Sequence, residues 1–71
     1  MEKIKIGKYR HFKGKEYRVL GLATHSETME QMVVYQALYG EQRIWVRPAA
    51  MWNEWVEANG ERQLRFTYLS E

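Results

Sequence analysis

A chain of 71 residues with no cysteine, one proline and five glycines makes at most one small domain and carries no disulfide scaffold. At 45% hydrophobic and 14% aromatic content it is too apolar for a disordered tail. Its longest apolar stretch, Ile44 to Val56, is broken by Arg47, Pro48, Asn53 and Glu54 and falls short of a bilayer span. The net charge of +2 is too mild to define a nucleic-acid binder unaided, but it is unevenly placed: residues 1–18 carry a net +5 and residues 19–71 a net −3.

Period-2 alternation dominates the pattern. Lys8-Tyr9-Arg10-His11-Phe12 predicts a short strand, followed by a tight hairpin around Gly14. Glu16 to Thr24 is a second strand, with Tyr17, Val19, Gly21 and Ala23 on one face and Arg18, Leu20, Leu22 and Thr24 on the other. Gly21 in mid-strand marks a bend or bulge. His25-Ser26-Glu27-Thr28 is a polar connection. Gln31 to Tyr39 is a third strand, and its Met32-Val33-Val34-Tyr35, apolar on both faces, implies a central place in the sheet. Gly40-Glu41-Gln42 turns into a fourth strand, Arg43 to Arg47.

Pro48 changes the period. It suits the first position of a helix, and Trp52, Trp55 and Val56 follow at i, i+3 and i+4 with Asn53, Glu54 and Glu57 opposite. This predicts about two turns of amphipathic helix packed on the sheet and ended at Asn59-Gly60. A last strand, Gln63 to Leu69, alternates Leu64, Phe66 and Tyr68 with Arg65 and Thr67. The whole is an all-β chain of about five antiparallel strands with one short helix, forming a strongly bent sheet or partly open barrel.

The basic opening segment has two readings. It is a phosphate-facing edge, or, more commonly, a set of lysines that blunts an exposed edge strand against aggregation. Ile4 and Ile6 are interleaved with lysines, so no secretory h-region is expected, and a chain without cysteine suits the reducing cytoplasm.

Several residue groups invite a chemical reading. His25-Ser26-Glu27 contains the residue types of a nucleophilic relay, but three consecutive side chains point in different directions, and an ordered turn explains them better. His11 and His25 with Glu27 or Glu30 lack diagnostic metal spacing. Trp45-Val46-Arg47-Pro48 places an arginine at a strand end on a stiff pre-proline backbone, where its planar fork suits a carboxylate or phosphate. Pairing with Glu27, Glu30 or a C-terminal carbonyl is the equal alternative. Tyr9, Tyr17, Tyr35, Tyr39, Trp45, Phe66 and Tyr68 supply more rings than one small core seals, so two or three should line a surface groove.

These residues also fall into an ordered pattern. Gly7-x-Tyr9-x-His11-Phe12-Lys13-Gly14-x-x-Tyr17-x-Val19, then His25-Ser26-Glu27-Thr28-x-Glu30, Val34-Tyr35-x-x-Leu38-Tyr39 and Trp45-Val46-Arg47-Pro48-x-x-Met51 together resemble the bacterial family called domain of unknown function 1653. The resemblance runs from about Gly7 to Phe66. It implies a small cytoplasmic protein with an SH3-like roll and brings no activity, cofactor or catalytic residue. Its marked positions here are His11, His25, Ser26, Glu27, Thr28, Tyr35, Arg47 and Pro48.

The leading functional expectation is a non-enzymatic binding module. Its shallow site of His11, His25, Glu27, Tyr35, Trp45 and Arg47 would take a polar or anionic small molecule or a protein partner, without cofactor or metal. Arg47 would supply the charged fork, the rings a stacking wall and His25 a pH-sensitive donor or acceptor. A second reading is single-stranded RNA or ribosome-associated binding through the basic segment and the rings. A third is an enzyme using His25 and Glu27 as acid and base. No membrane partner is expected, and the chain would be a monomer or weak dimer.

Overall fold

The computed structural model describes residues 4–71, which leaves Glu2 and Lys3 of the basic opening outside the described residues. Seven strands follow one another: β1 (Gly7–His11), β2 (Glu16–Thr24), β3 (Gln31–Ala37), β4 (Ile44–Pro48), β5 (Trp55–Ala58), β6 (Glu61–Leu64) and β7 (Phe66–Ser70). Five of them form one antiparallel sheet in the order β4-β3-β2-β1-β7, while β5 and β6 make a separate hairpin. The all-β expectation holds, and β3 lies inside the sheet between β2 and β4. The sheet stays open, with β4 and β7 as its edges.

β1 and β2 meet through the short turn at Lys13-Gly14, closed by His11 N–H donating to Lys15 O at 2.7 Å and Gly14 N–H to His11 O at 2.8 Å. The expected irregularity at Gly21 is a register shift: Val19 faces Tyr35, but Gly21 faces Val34 and Leu22 faces Val33. The unpaired Leu20 swaps the faces of everything after it. Val19 and Leu22 therefore share the inner side, whereas simple alternation put Leu22 with Leu20 on the outer one.

The part of the basic opening that forms β1 does not lie on an edge. β1 is interior, paired with β2 on one side and β7 on the other. Lys8 and Arg10 stand on its outer face, each 3.8 Å from a Glu16 carboxylate oxygen. An edge reading therefore does not hold for Lys8 and Arg10.

The largest departure concerns the segment after Pro48. Instead of two helical turns, Ala49–Met51 forms a single 3₁₀ turn, and the chain re-enters extended structure at Trp55. Asn59 and Gly60 adopt φ of 53° and 77° between the paired Ala58 and Glu61. Left-handed conformation at both positions is the signature of a two-residue hairpin turn, for which Asn-Gly is the strongest short signal. The same pair also suits a helix terminus, so the sequence alone does not separate the two roles. Trp55, expected on the packed face of a helix, is 56% exposed on β5 with the Arg62 guanidinium 4.8 Å from its ring centre.

The 3₁₀ turn nevertheless performs the task assigned to the helix, because it drives Trp52 into the hollow of the bent sheet. Trp52 is fully buried together with Val19 and Val33. Its ring stacks on Phe66 at 4.0 Å between centroids and meets Tyr9 and Tyr35 edge-on at 5.4 and 5.0 Å. Tyr9, Val19, Val33, Trp52 and Phe66 form the core cluster. In so small a protein, large rings supply burial that aliphatic side chains alone do not reach.

Candidate functional site

β4 delivers the first functional side chains. Trp45 and Arg47 alternate to the same side of the strand, facing Tyr35 and Val33 on β3 respectively; since Val33 is core, this is the inner face of the sheet. Pro48 ends β4 and sends the chain into the 3₁₀ turn, which brings Met51 and Glu54 back beneath Arg47. Arg47 Nε–H donates to Met51 O at 3.2 Å and Nη2–H to Glu54 Oε1 at 2.7 Å.

Arg65 arrives from the other end of the chain. It sits in the one-residue break between β6 and β7, where its N–H donates to Glu54 O at 2.8 Å and its carbonyl accepts from Phe12 N–H at 2.9 Å. Its Nε–H reaches the same Glu54 Oε1 at 3.2 Å. Two guanidinium groups thus converge on one carboxylate oxygen, with Arg47 only 22% exposed at its side chain.

A ring-lined floor adjoins this pair. Tyr35 lies 5.8 Å from Phe66 and 5.6 Å from Tyr17 between centroids. His11 packs edge-on at the side, 5.1 Å from Phe66 and 6.2 Å from Tyr17 between centroids. Tyr17 and Tyr39 share a hydroxyl–hydroxyl hydrogen bond of 2.5 Å. At the rim, the Lys13 and Lys15 ammonium groups lie 5.9 and 4.9 Å from the Phe12 and Tyr39 ring centres.

The protonation states follow from this setting. Burial lowers the His11 pKa below the usual 6.5, and the positive charges of Arg65, Lys13 and Arg47 lower it further. The imidazole is therefore neutral at pH 7. Its Nδ1 accepts the Lys13 backbone N–H at 3.2 Å, which leaves the proton on Nε2 as a donor. Burial likewise raises Tyr35, opposed by Arg47 and Arg65, and pushes Tyr17, hydrogen-bonded to Tyr39, up to about 12. Both phenols stay protonated at neutral pH. The arrangement is rich in donors and holds one carboxylate, Glu54, as its built-in acceptor.

Of the sequence-expected residues, His11, Tyr35, Trp45 and Arg47 come to this face. His25 and Glu27 do not join them. Both lie exposed in the β2–β3 connection, where His25 Nδ1 accepts the backbone N–H groups of Glu27 and Thr28 at 3.1 and 3.3 Å. Thr28 Oγ1 accepts the N–H of Glu30 at 3.2 Å, completing the turn. Arg47 takes Glu54 as partner, rather than Glu27 or Glu30. No group of three or more histidine and acidic side chains fit to hold a metal occurs among the described residues.

Sequence reasoning missed Arg65 and Glu54. Arg65 reads as one more polar residue of an alternating strand, and Glu54 as the solvent side of a helix. Their meeting depends on the one-residue strand break at Arg65, which no local pattern announces. A separate apolar groove of about 580 Å³, lined by Ile4, Lys5, Ile6, Leu22, Tyr68 and Glu71, shares none of these side chains.

Fold and face together define a small all-β domain, an open five-stranded sheet wrapped on a tryptophan plug, with an arginine pair and exposed rings on its inner side. Residues 7–68 match the family model described as "Protein of unknown function (DUF1653)", and the chain belongs to that family. It is similar over 99% of its length, at 40% identity and a TM-score of 0.90, to a crystal structure of a DUF1653 protein from Bordetella bronchiseptica, of which it covers 92%. No curated protein matches it.

Proposed function

We propose that the protein is a non-enzymatic binding module whose inner face takes a small anionic ligand at Arg47 and Arg65. The observation that carries this reading is the convergence of both guanidinium groups on Glu54 Oε1. Such convergence prepares a point of positive potential where an oxyanion is held by charge-assisted, directional hydrogen bonds. Tyr35 and His11, which both feel the charges of Arg47 and Arg65, are the neutral donors of the same face. His25 and Glu27 have no part in this site.

The test is a titration of the folded protein with inorganic phosphate, followed through the Arg47 and Arg65 Nε–H and His11 ring resonances. Saturable shifts confined to these groups are expected, weakening with added salt. Arg47→Ala and Arg65→Ala should each abolish them while the backbone spectrum stays native-like. Shifts that fail to saturate, or that persist unchanged in both variants, reject the site.

A further inference from the structure

β4 is an edge strand left unguarded at its centre. It pairs with β3 alone, in the register Val33↔Arg47, Val34↔Val46 and Tyr35↔Trp45. Just before the strand, Ala37 N–H donates to Arg43 O at 3.0 Å, which sets the alternation of the ladder: Arg43, Trp45 and Arg47 turn their backbone groups toward β3. Ile44 and Val46 therefore turn N–H and C=O to the open side, as Pro48 does its carbonyl, and the missing proline N–H costs the β3–β4 ladder nothing. Edge strands are ordinarily blunted by a charge, a bulge or a proline. Here the proline comes last, the β3–β4 register runs without a shift, and Arg47 is held on the inner face by Glu54 at 2.7 Å. Ile44 and Val46, neighbours on the outer face, are each 60% exposed. The opposite edge, β7, is better protected: its pairing with β1 shifts register between Lys8 and Tyr9, and the Lys5 ammonium lies 5.0 Å from the Tyr68 ring centre.

The strand's own sequence specifies what covers it. When two copies of β4 meet antiparallel about a two-fold axis, the open-side N–H groups of Ile44 and Val46 both find acceptors within the strand only if the axis passes through Trp45 or Val46. An axis at Trp45 sets Arg43 against the partner's Arg47, and like charges directly opposite are destabilising. An axis at Val46 sets Val46 against the partner's Val46 and Ile44 against the partner's Pro48 on the outer face. On the inner face it sets Trp45 against the partner's Arg47. Every opposed pair is then apolar or a cation beside a ring. Val46 N–H donates to the partner's Val46 O and Ile44 N–H to the partner's Pro48 O, each bond made twice by symmetry, while the Ile44 carbonyls opposite the prolines stay in water.

We propose that the protein forms an isologous dimer through β4, with its axis at Val46, which joins the two sheets into one continuous sheet. A strand of five residues gives a short seam beside the roughly 1,000 Å² that a lasting interface buries, so the dimer is a weak one that assembles as concentration rises. The seam needs no anion, and it stands or falls independently of the arginine site.

The experiment is sedimentation of the intact protein from about 10 μM to about 1 mM, the range of a weak complex. The mass should rise from monomer toward dimer and stop there. Val46→Lys, which opposes two ammonium groups across the axis, and Val46→Pro, which removes only the open-side N–H, should both stay monomeric throughout with native-like spectra. The chain has no cysteine, so oxidation of Val46→Cys should give a disulfide-linked dimer, because residues of a hydrogen-bonded pair stand about 5.5 Å apart between Cα atoms. Ile44→Cys, more than about 13 Å from its own copy, should not cross-link. A mass that stays monomeric, that grows past the dimer as β4-to-β7 stacking would, or that still doubles in either the Lys or the Pro variant overturns the proposal. Ile44→Cys cross-linking as readily as Val46→Cys overturns the axis at Val46.

Discussion

Trp52 stacks on Phe66 and takes Tyr9 and Tyr35 edge-on, yet its Nε1–H finds no acceptor at hydrogen-bond geometry among the described residues. The Tyr9 oxygen feels it only as the weakest influence on that hydroxyl, and Tyr9 O–H itself donates to Lys5 O at 2.7 Å. A buried donor without an acceptor costs roughly 1–3 kcal/mol. Trp52→Phe removes that donor along with part of the ring volume, so the two effects oppose each other. Denaturant unfolding should place Trp52→Phe within about 1.5 kcal/mol of the parent, whereas Trp52→Ala, which empties the hollow, should lose about 3–5 kcal/mol. A loss of the larger size for Trp52→Phe would mean that the indole N–H is satisfied and contributes to the core.

At the scale of elements, strands were legible wherever one face is buried and the other wet, because burial imposes the period-2 pattern that marks them. β2 begins and ends at the residues the pattern indicated. Legibility failed where a short segment satisfied two periods at once. Trp52, Trp55 and Val56 fit a helical stripe, but the chain needs only Trp52 inside, and a 3₁₀ turn achieves that with fewer residues. The Leu20 bulge was placed correctly by Gly21, but its consequence, the exchange of faces beyond it, is a property of strand pairing that one strand's sequence does not carry. The anion site divides in the same way: Arg47 was visible because Pro48 follows it, and Arg65 was not, because its role comes from a contact with a loop eleven residues earlier.

The β1–β7 seam provides a test at this scale. Gly7 opens β1 with φ +145°, and a Cβ there would meet Ser70 O at 2.5 Å and the Tyr68 ring at 3.1 Å. Only glycine tolerates both the backbone conformation and the close approach. Gly7→Ala should therefore cost about 2 kcal/mol or more and selectively speed amide exchange along β1 and β7. Gly21→Ala, whose Cβ meets nothing within 4 Å, should be neutral to mildly stabilising. Equal losses for the two would show that the seam, despite its crowding, adapts freely.

For the molecule as a whole, the gathering of rings and cations on one side of the sheet has a cost that depends on pH. His11 has a folded pKa below 6.5, from burial first and then from Arg65, Lys13 and Arg47. The unfolded chain thus takes up that proton more readily, and the stability His11 contributes is full above 6.5 and is lost as pH falls from there through the folded value. Protonation also turns Nδ1 from the acceptor of the Lys13 N–H into a competing donor. Tyr17 acts in the opposite sense. Its pKa rises from 10.0 to about 12 through burial and the bond to Tyr39, so the folded state keeps a proton that the unfolded state releases, and its contribution is full below 10 and lost as pH climbs through about 12. Thermal unfolding followed across this range should give a plateau between about pH 6.5 and 10 with a decline on each side. His11→Gln should flatten the acid limb alone, whereas Tyr17→Phe should shrink the alkaline limb alone and leave the part that Tyr9 and Tyr35, also raised by burial, contribute. Saturating phosphate should make the acid limb shallower, because an anion beside His11 stabilises the imidazolium, offsets the arginines and brings the folded pKa back toward 6.5. An acid limb that persists in His11→Gln would place the titrating group elsewhere, and a limb indifferent to phosphate would separate His11 from the anion site.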